Sequence, residues 1–242
     1  MTDSEYLLHA DADAVAEAIA SRLVSRIVEL QRQQPTRNIQ LGLTGGRIAT
    51  RAYQRLAQDA DAGVDWSRVE LWWGDERFVP ADSEDRNDHG ALAALRPALP
   101  LPEANLHPIP ADDGRLSLDA AAERYANEFG DTVLDICLLG VGPDGHVASV
   151  FPHHPSLPAS LSATGDVIAV RDSPKPPPLR VSLTHRAINR STEVWFTVAG
   201  ADKAAAVAGV AAGDAELSAT HVHGIDRTIW FLDRAAATQL PT

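Results

Sequence analysis

The sequence predicts an α/β fold with a Rossmann-like, doubly wound and mostly parallel sheet flanked by helices. Short apolar segments alternate with segments in which apolar residues recur at helical spacing, which is the pattern of strand–helix–strand units. The segment at 135–139 is almost entirely apolar, as expected when both faces of a parallel strand are covered. With 242 residues, 45% of them hydrophobic, the chain can bury one large core, and we predict a single domain over residues 1–242.

Each element follows from a local signal, taken here in chain order. An amphipathic helix ends near Pro35, and two apolar strands follow it. The first strand leads through a glycine turn into a helix. The second leads through a polar loop into a shorter helix. A proline-rich connector precedes another helix and the apolar strand at 135–139, and four more apolar segments follow, with an alanine-rich helix between the last two. The predicted strands are 38–43, 69–73, 135–139, 167–170, 179–183, 194–198 and 229–232, and the predicted helices run from about residue 15 to Pro35 and over 47–60, 91–95, 116–129 and 201–212.

Charge and the first residues of the chain disfavour several classes of protein. The formal net charge is −12, so no global field attracts nucleic acid or an anionic membrane, and an anionic ligand must be bound by locally placed cations. The amino terminus is acidic where a signal peptide is basic, and no run of about 18 apolar residues occurs. We therefore expect a cytoplasmic protein without nucleic-acid or membrane partners. The single cysteine, Cys137, lies in an apolar run and is expected to be a buried thiol.

The first candidate loop, Thr44-Gly45-Gly46-Arg47, follows a predicted strand and precedes a helix. Adjacent glycines let a ligand approach the backbone, and the helix directs its free N–H groups and dipole at that ligand, which favours a phosphate. A tight turn that needs glycine only for its backbone angles would show the same residues. Arg47 favours the anion-binding interpretation.

The second candidate loop, Gly74-Asp75-Glu76-Arg77, ends the next strand with three charged residues. A solvated surface loop could carry the same residues. Its position at the same edge of the sheet favours function, because the cation Arg77 and carboxylates such as Asp75 could orient a polyhydroxylated ligand there.

The third loop, GVGPDGH at 140–146, matches the dinucleotide-binding pattern G-x-G-x-x-G. Such a fingerprint opens a long helix and precedes an acidic residue at the end of the next strand. Here Pro143 interrupts the pattern, later prolines leave room for only a short helical turn, and Asp166 precedes its strand. We interpret the loop as a turn that presents Asp144 and His146, a side chain suited to general-base work. A hydrogen-bonded structural histidine is the alternative.

Two later cations complete the set of candidates. Arg180 opens a predicted strand after the proline-rich run at 173–178, which we interpret as an extended surface segment. Lys203 lies at a strand-to-helix junction, from which its ammonium can reach over the sheet edge. Several histidines occur nearby, but no carboxylate or cysteine completes a recognisable ligand spacing, and no metal site is predicted.

In this order, the segments resemble the 6-phosphogluconolactonase family over nearly the whole chain. The matching stretches are LTGGR, WWGDERFVPADSEDRN, LLGVGPDGHVASVFP, PPLRVSLT and VAGADKA. Related glucosamine-6-phosphate deaminases follow the DGH segment with F-N-E-P, whereas this chain has no glutamate at 149–152, which favours a lactonase. The family's first loop commonly reads S-G-G-S-T-P; here Arg47 follows the glycines and could supply charge in place of the missing hydroxyl.

The resemblance implies hydrolysis of a phosphorylated sugar lactone, 6-phospho-D-glucono-1,5-lactone, in the oxidative pentose phosphate pathway, with no cofactor and no metal. It implies that His146 is the general base and that Arg77 stabilises the oxyanion. The implied substrate-binding residues are Thr44, Gly45, Gly46, Arg47, Asp75, Asp144, Arg180 and Lys203. The alternatives are a sugar-phosphate isomerase or deaminase, or a non-catalytic sugar-phosphate-binding domain, which would need a DNA-reading module. We expect a monomer or weak homo-oligomer.

Overall fold

The computed structural model describes residues 4–58 and 63–241 and confirms the predicted fold class. Its main sheet has seven strands, all paired in parallel. In spatial order the strands are β1 (Ser4–His9), β10 (Arg227–Asp233), β9 (Glu193–Val198), β6 (Ile136–Leu139), β2 (Ile39–Leu43), β3 (Val69–Trp73) and β5 (Leu106–His107). A second, antiparallel sheet consists of β4 (Asp75–Arg77), β8 (Arg180–Leu183) and β7 (Val167–Val170).

Helices connect and flank these strands. They are α1 (Ala12–Gln33), α2 (Arg47–Gln58), α3 (Asn87–Leu95), α4 (Leu118–Phe129), α5 (Ser156–Ser162), α6 (His185–Asn189) and α7 (Ala204–Ala211). The first helix begins where the Asp11 carboxylate accepts the N–H of Ala14 at 2.9 Å, and it buries the apolar positions that the periodicity predicts, such as Ile19 and Leu23. No helix within the described ranges is long and apolar enough to cross a membrane.

The order of the strands determines where a ligand can bind. From β2 the chain moves outward through β3 and β5 on one side, and it returns to the other side through β6, β9 and β10. The direction of winding therefore reverses between β2 and β6. In open parallel sheets this reversal leaves a crevice at the carboxyl ends of the strands, and the loops that follow β2 and β6 are the predicted glycine turns.

Aromatic side chains fill the core on which these loops rest. Trp73, Trp195 and Trp230 are fully buried, and Trp230 stacks on Phe196 with ring centroids 3.9 Å apart. Cys137 on β6 is also fully buried, as predicted.

The structure corrects the expected place of two predicted strands. The segments at 167–170 and 179–183 are strands, but they form β7 and β8 of the small antiparallel sheet and not part of the parallel one. Their partner β4 occupies the segment interpreted as a polar loop, and Asp75 pairs there with Ser182. A strand of three polar residues has no alternation of apolar residues to reveal it.

Several other elements differ from the prediction at their ends or were not predicted. The edge strand β1 is mostly exposed and therefore lacks an apolar pattern, while β5 has only two residues inside the proline-rich connector. The alanine-rich segment at 201–212 begins as a 3-10 turn, Ala201–Lys203, before α7. The helix predicted to end at residue 60 is described to Gln58, and residues 59–62 lie outside the described part of the chain.

Candidate active site

A cleft of about 350 Å³ opens at the carboxyl ends of the parallel strands, where the winding reverses. It brings together eight of the ten predicted site residues: Thr44, Gly45, Gly46, Asp75, Arg77, His146, Arg180 and Lys203. Arg47 lines an adjoining cleft of about 240 Å³ that shares Lys203 and both glycines with the first. Nine of the ten predicted residues thus line these two clefts, and the tenth, Asp144, contacts His146.

The glycine turn after β2 is shaped for close approach by another group. Gly46 has a φ of +103°, which side-chain-bearing residues rarely adopt. A Cβ on Gly45 would lie 1.9 Å from Asn87 Oδ1, so only glycine leaves room for Asn87 beside the turn. The first N–H groups of α2, which begins at Arg47, have no acceptor within the helix and point into this region.

Two cations lie beside this helix terminus. Arg47 and Lys203 line the smaller cleft together with Gly45 and Gly46. Burial lowers the pKa of Lys203; the ammonium of Lys175 acts in the same direction, while Asp202, 3.5 Å away, opposes the shift. Positive charges next to free N–H groups at a helix terminus form a site for a phosphate or another small anion.

The turn after β6 brings His146 to the cleft. Gly145 has a φ of +80°, and its N–H donates to the carbonyl oxygen of Gly142 at 2.9 Å. A Cβ on Gly142 would lie 2.0 Å from His146 Nδ1, so this glycine is required for the imidazole to fold back over the turn. The glycine spacing that resembles a dinucleotide fingerprint therefore serves the position of a histidine.

Asp144 and His146 form a directly bonded pair. Asp144 Oδ1 lies 2.5 Å from His146 Nδ1, and the ring of Phe151 covers the imidazole with centroids 4.7 Å apart. Burial would raise the pKa of Asp144, but the hydrogen bond with His146 and the charges of His146 and Lys175 outweigh it and hold that pKa well below its usual range. An ionised carboxylate only accepts hydrogen bonds, so Nδ1 carries the proton that His146 shares with Asp144, and any lone pair that the ring offers is on Nε2.

Arg77 lies on β4 at the opposite wall. Its Nη1 donates to Asn87 Oδ1 at 2.8 Å and to the carbonyl oxygen of Asp85 at 2.5 Å. Its buried Nε has no hydrogen-bond partner among the described residues. The guanidinium is consequently held in place and still has donors available for a ligand.

Asp75, next to Arg77, is buried and faces the same cleft. Its Oδ2 accepts the hydroxyl of Ser149 at 2.5 Å, and its backbone carbonyl accepts Asn87 Nδ2 at 2.9 Å. Ser149, which follows the histidine turn, thus holds the Asp75 carboxylate in place.

Three residues that contact the predicted site residues escaped the sequence reasoning. Asn87 lies at the start of α3. The only signal for it in the sequence is that a polar residue occurs at the beginning of a helix. Lys175 lies in the proline-rich run interpreted as a surface segment, yet its Nζ is 3.1 Å from His146 Nδ1. Ser149 is fully buried, and nothing in its local sequence indicates that it contacts Asp75.

A resident metal is not suggested by the residues present. Within the described ranges, no group of three or more histidine, cysteine, aspartate or glutamate side chains is arranged to hold a metal ion. The histidines at 153 and 154 are engaged separately: His153 Nδ1 lies 3.6 Å from Glu216 Oε2, and His154 Nδ1 lies 2.9 Å from Ser156 Oγ.

Comparison with known proteins agrees with this geometry. The family described as glucosamine-6-phosphate isomerases/6-phosphogluconolactonase matches residues 10–230. The 6-phosphogluconolactonase of Streptomyces coelicolor is 43% identical over 257 residues, covering 100% of this chain and 97% of that protein. The 6-phosphogluconolactonase of Mycobacterium tuberculosis is 41% identical, covering 96% of each.

A solved structure extends the comparison to three dimensions. The crystal structure of 6-phosphogluconolactonase from Thermotoga maritima superposes with a TM-score of 0.84 at 29% identity, covering 96% of this chain and all of that one. The chain therefore belongs to the family of glucosamine-6-phosphate isomerases and 6-phosphogluconolactonases, and within it to the 6-phosphogluconolactonases, which are hydrolases.

Proposed function

We propose that this protein hydrolyses 6-phospho-D-glucono-1,5-lactone to 6-phospho-D-gluconate in the oxidative pentose phosphate pathway. The observation that carries the proposal is that a bonded Asp144–His146 pair opens on the same cleft as the Gly45–Gly46 turn and Lys203. A base and an anion site joined by one cleft suit an ester whose phosphate is remote from its carbonyl. The names of the full-length relatives support the same substrate.

The phosphate would bind at the amino terminus of α2. The N–H groups of Gly45 and Gly46, the ammonium of Lys203 and the guanidinium of Arg47 surround that position. Arg180 adds positive charge from β8. The Thr44 hydroxyl accepts the N–H of Gly140 at 3.3 Å and so connects the two glycine turns. Binding of the phosphate orients the lactone carbonyl toward His146. The binding energy of the phosphate, which is remote from the reacting carbonyl, thereby contributes to lowering the barrier of the reaction.

His146 would act as the general base. Its Nε2 takes a proton from a water molecule while the water oxygen bonds to the lactone C1, and Asp144 stabilises the imidazolium that forms. Arg77 would stabilise the oxyanion on C1, a role commonly worth about 3 kcal/mol, and Asp75 would orient the sugar hydroxyls.

The tetrahedral intermediate then collapses with cleavage of the bond between C1 and the ring oxygen. The imidazolium returns its proton to the departing ring oxygen, so one water is consumed and His146 ends neutral. The products are a carboxylic acid, which ionises, and a hydroxyl group. A lactone is an activated ester, so this route needs no covalent intermediate on the protein.

The decisive experiment measures 6-phosphogluconate formation above the spontaneous hydrolysis of the lactone, by coupling to an enzyme that consumes the product. We expect His146→Ala to lower kcat by roughly 10²- to 10⁴-fold with little change in KM. His153→Ala, at an exposed histidine of the same region, is the matched control and should retain wild-type kcat. A His146→Ala enzyme with unchanged kcat would refute the assignment of the base.

The same preparation tests the alternative of a deaminase. Because residues 149–152 contain no glutamate, we expect no ammonia release from glucosamine 6-phosphate. Ammonia release faster than lactone hydrolysis would favour the alternative.

A further inference from the structure

A lysine from the proline-rich segment reaches the Asp144–His146 pair. Lys175 Nζ lies 3.1 Å from His146 Nδ1 and 3.4 Å from Asp144 Oδ1. The Lys175 side chain is 40% exposed, so its ammonium borders both the cleft and solvent. Holding a long side chain in one place costs rotamer freedom. A fixed Lys175 ammonium therefore requires that the backbone of Lys175 is itself held rigidly.

Arg180 supplies that rigidity from the start of β8, where it is buried. Its Nε donates to the carbonyl oxygen of Pro177 at 2.8 Å, and its Nη2 donates to the carbonyl oxygens of Lys175 and Pro176, both at 3.0 Å. One guanidinium thus binds three consecutive carbonyls. The backbone of Lys175 is consequently tied to the small sheet that also carries Arg77.

The hydrogen bonding of His146 determines what the ammonium of Lys175 can do. Since Nδ1 carries a proton toward Asp144, it has no lone pair left to accept a hydrogen from Lys175. The hydrogens of the ammonium therefore point toward Asp144, and its positive charge faces the edge of the imidazole. This contact disfavours a positively charged ring and leaves a neutral ring almost unaffected.

We propose that Lys175 is a positioning residue that opposes protonation of His146 and so keeps the imidazole available as a base in mildly acidic solution. Asp144 by itself would favour the imidazolium. Lys175 offsets part of that attraction, because it shares Asp144 Oδ1 with the ring. The catalytic consequence rests on the proposed function, in which neutral His146 accepts the proton of water.

Other charged groups line the same cleft as His146 and set the electrostatic background in which Lys175 acts. They are Asp75 and Arg77 from β4, Arg180 from β8, and Lys203 from the turn after β9, whose ammonium lies 3.5 Å from Asp202 Oδ2. The charge of Lys175 contributes to the lowered pKa of Lys203, so the two ammonium groups influence each other. Substitutions at Lys175 leave the residues of this set in place, and only Lys175→Met removes the contribution of the Lys175 charge to the lowered pKa of Lys203.

The first measurement is the pH dependence of kcat/KM for lactone hydrolysis, corrected for the spontaneous reaction. We expect Lys175→Met to move the acid limb toward higher pH by roughly half a pH unit, a size typical of partly exposed charge contacts. Lys175→Arg keeps the charge and should keep the acid limb within about 0.2 units of wild type. An acid limb that does not move in Lys175→Met, with kcat/KM lowered equally at every pH, would assign Lys175 to substrate binding and overturn the proposal.

The second measurement does not depend on activity. NMR titration of the His146 ring in the ligand-free protein should show the same upward displacement in Lys175→Met and none in Lys175→Arg. Coincident titrations of wild type and Lys175→Met, or a displacement to lower pH, would overturn the proposal. If the displacement is present but wild-type protein does not accelerate lactone hydrolysis, the role of Lys175 is supported and the proposed function fails.

Discussion

The phenolic oxygen of Tyr53 makes two hydrogen bonds to the backbone of one residue, Thr44. It accepts the N–H of Thr44 at 3.0 Å and donates to its carbonyl oxygen at 2.8 Å. Tyr53 is fully buried on α2, and burial raises its pKa above the ordinary range, so it remains protonated and able to donate. The Tyr53 hydroxyl therefore satisfies both backbone groups of Thr44, the residue that precedes the glycine pair.

We therefore expect Tyr53→Phe to raise KM for the phosphorylated lactone more than it lowers kcat. The substitution leaves a buried N–H and a buried carbonyl unpaired, at a cost of roughly 1–3 kcal/mol in the free energy of unfolding. Steady-state kinetics and urea unfolding measure the two effects.

Tyr125→Phe is the matched control for Tyr53→Phe. The hydroxyl of Tyr125 makes the same pair of bonds to Trp73, at 3.0 and 2.8 Å, but Trp73 does not line the cleft. A similar loss of stability with a smaller change in KM is expected. Equal changes in KM in both variants would contradict a specific role for Tyr53.

Gly142→Ala should lower kcat strongly while the protein stays folded. The added methyl group would lie 2.0 Å from His146 Nδ1, so the ring must leave its position beside Asp144. Gly165→Ala is the control, because nothing lies within 4 Å of a Cβ at that exposed position, and its kcat should equal that of wild type. Retained kcat in Gly142→Ala would show that the observed position of the ring is unnecessary for activity.

Asp144→Asn should lower kcat strongly, by up to roughly 10⁴-fold, as when an amide replaces the carboxylate that fixes the tautomer of a general-base histidine. The amide keeps the size of the side chain but removes the charge that stabilises the imidazolium. KM should change little, because Asp144 contacts His146 and does not itself line the cleft. Kinetics on both variants, Asp144→Asn and Asp144→Glu, would test this; unchanged kcat in Asp144→Asn would exclude an orienting role.

The affinity for the phosphorylated substrate should weaken as pH rises. The loss should begin at a lower pH than the titration of an exposed lysine would give. Burial lowers the pKa of Lys203. At pH values below that pKa the ammonium is charged and attracts the phosphate. As the pH rises past that pKa, the charge and the attraction are lost. KM should therefore rise with pH in wild type and stay flatter in Lys203→Arg, whose guanidinium remains charged. A KM for unphosphorylated gluconolactone that rose in parallel would argue against Lys203 as the phosphate ligand.

Cys137 should resist thiol reagents in the native protein. Its side chain is fully buried, and burial raises the pKa of the thiol to about 12, so little thiolate forms at neutral pH. Reaction with a disulfide reagent should occur at the rate of unfolding, and stoichiometrically in denaturant. Rapid labelling of the active native enzyme would contradict the buried position.

Local sequence patterns were sufficient to predict the class of fold and the position of the two glycine turns. Apolar strands such as 69–73 are continuous in sequence, so a local pattern reveals them. The turn at 44–47 and the turn at 140–146 follow such strands directly, and parallel strands place their carboxyl ends at one edge. His146 could therefore be predicted to lie near Gly45 although about a hundred residues separate them.

The remaining groups of the site are brought together by contacts between segments that are distant in sequence. The small sheet pairs β4 with β8 and brings Arg180 beneath the proline-rich segment, and no local pattern encodes a pairing between strands a hundred residues apart. Lys175 is held at the site because its backbone carbonyl accepts a hydrogen bond from Arg180, and Asn87 is held there because its Oδ1 accepts one from Arg77. Such contacts depend on long-range packing, which periodicity and composition do not record.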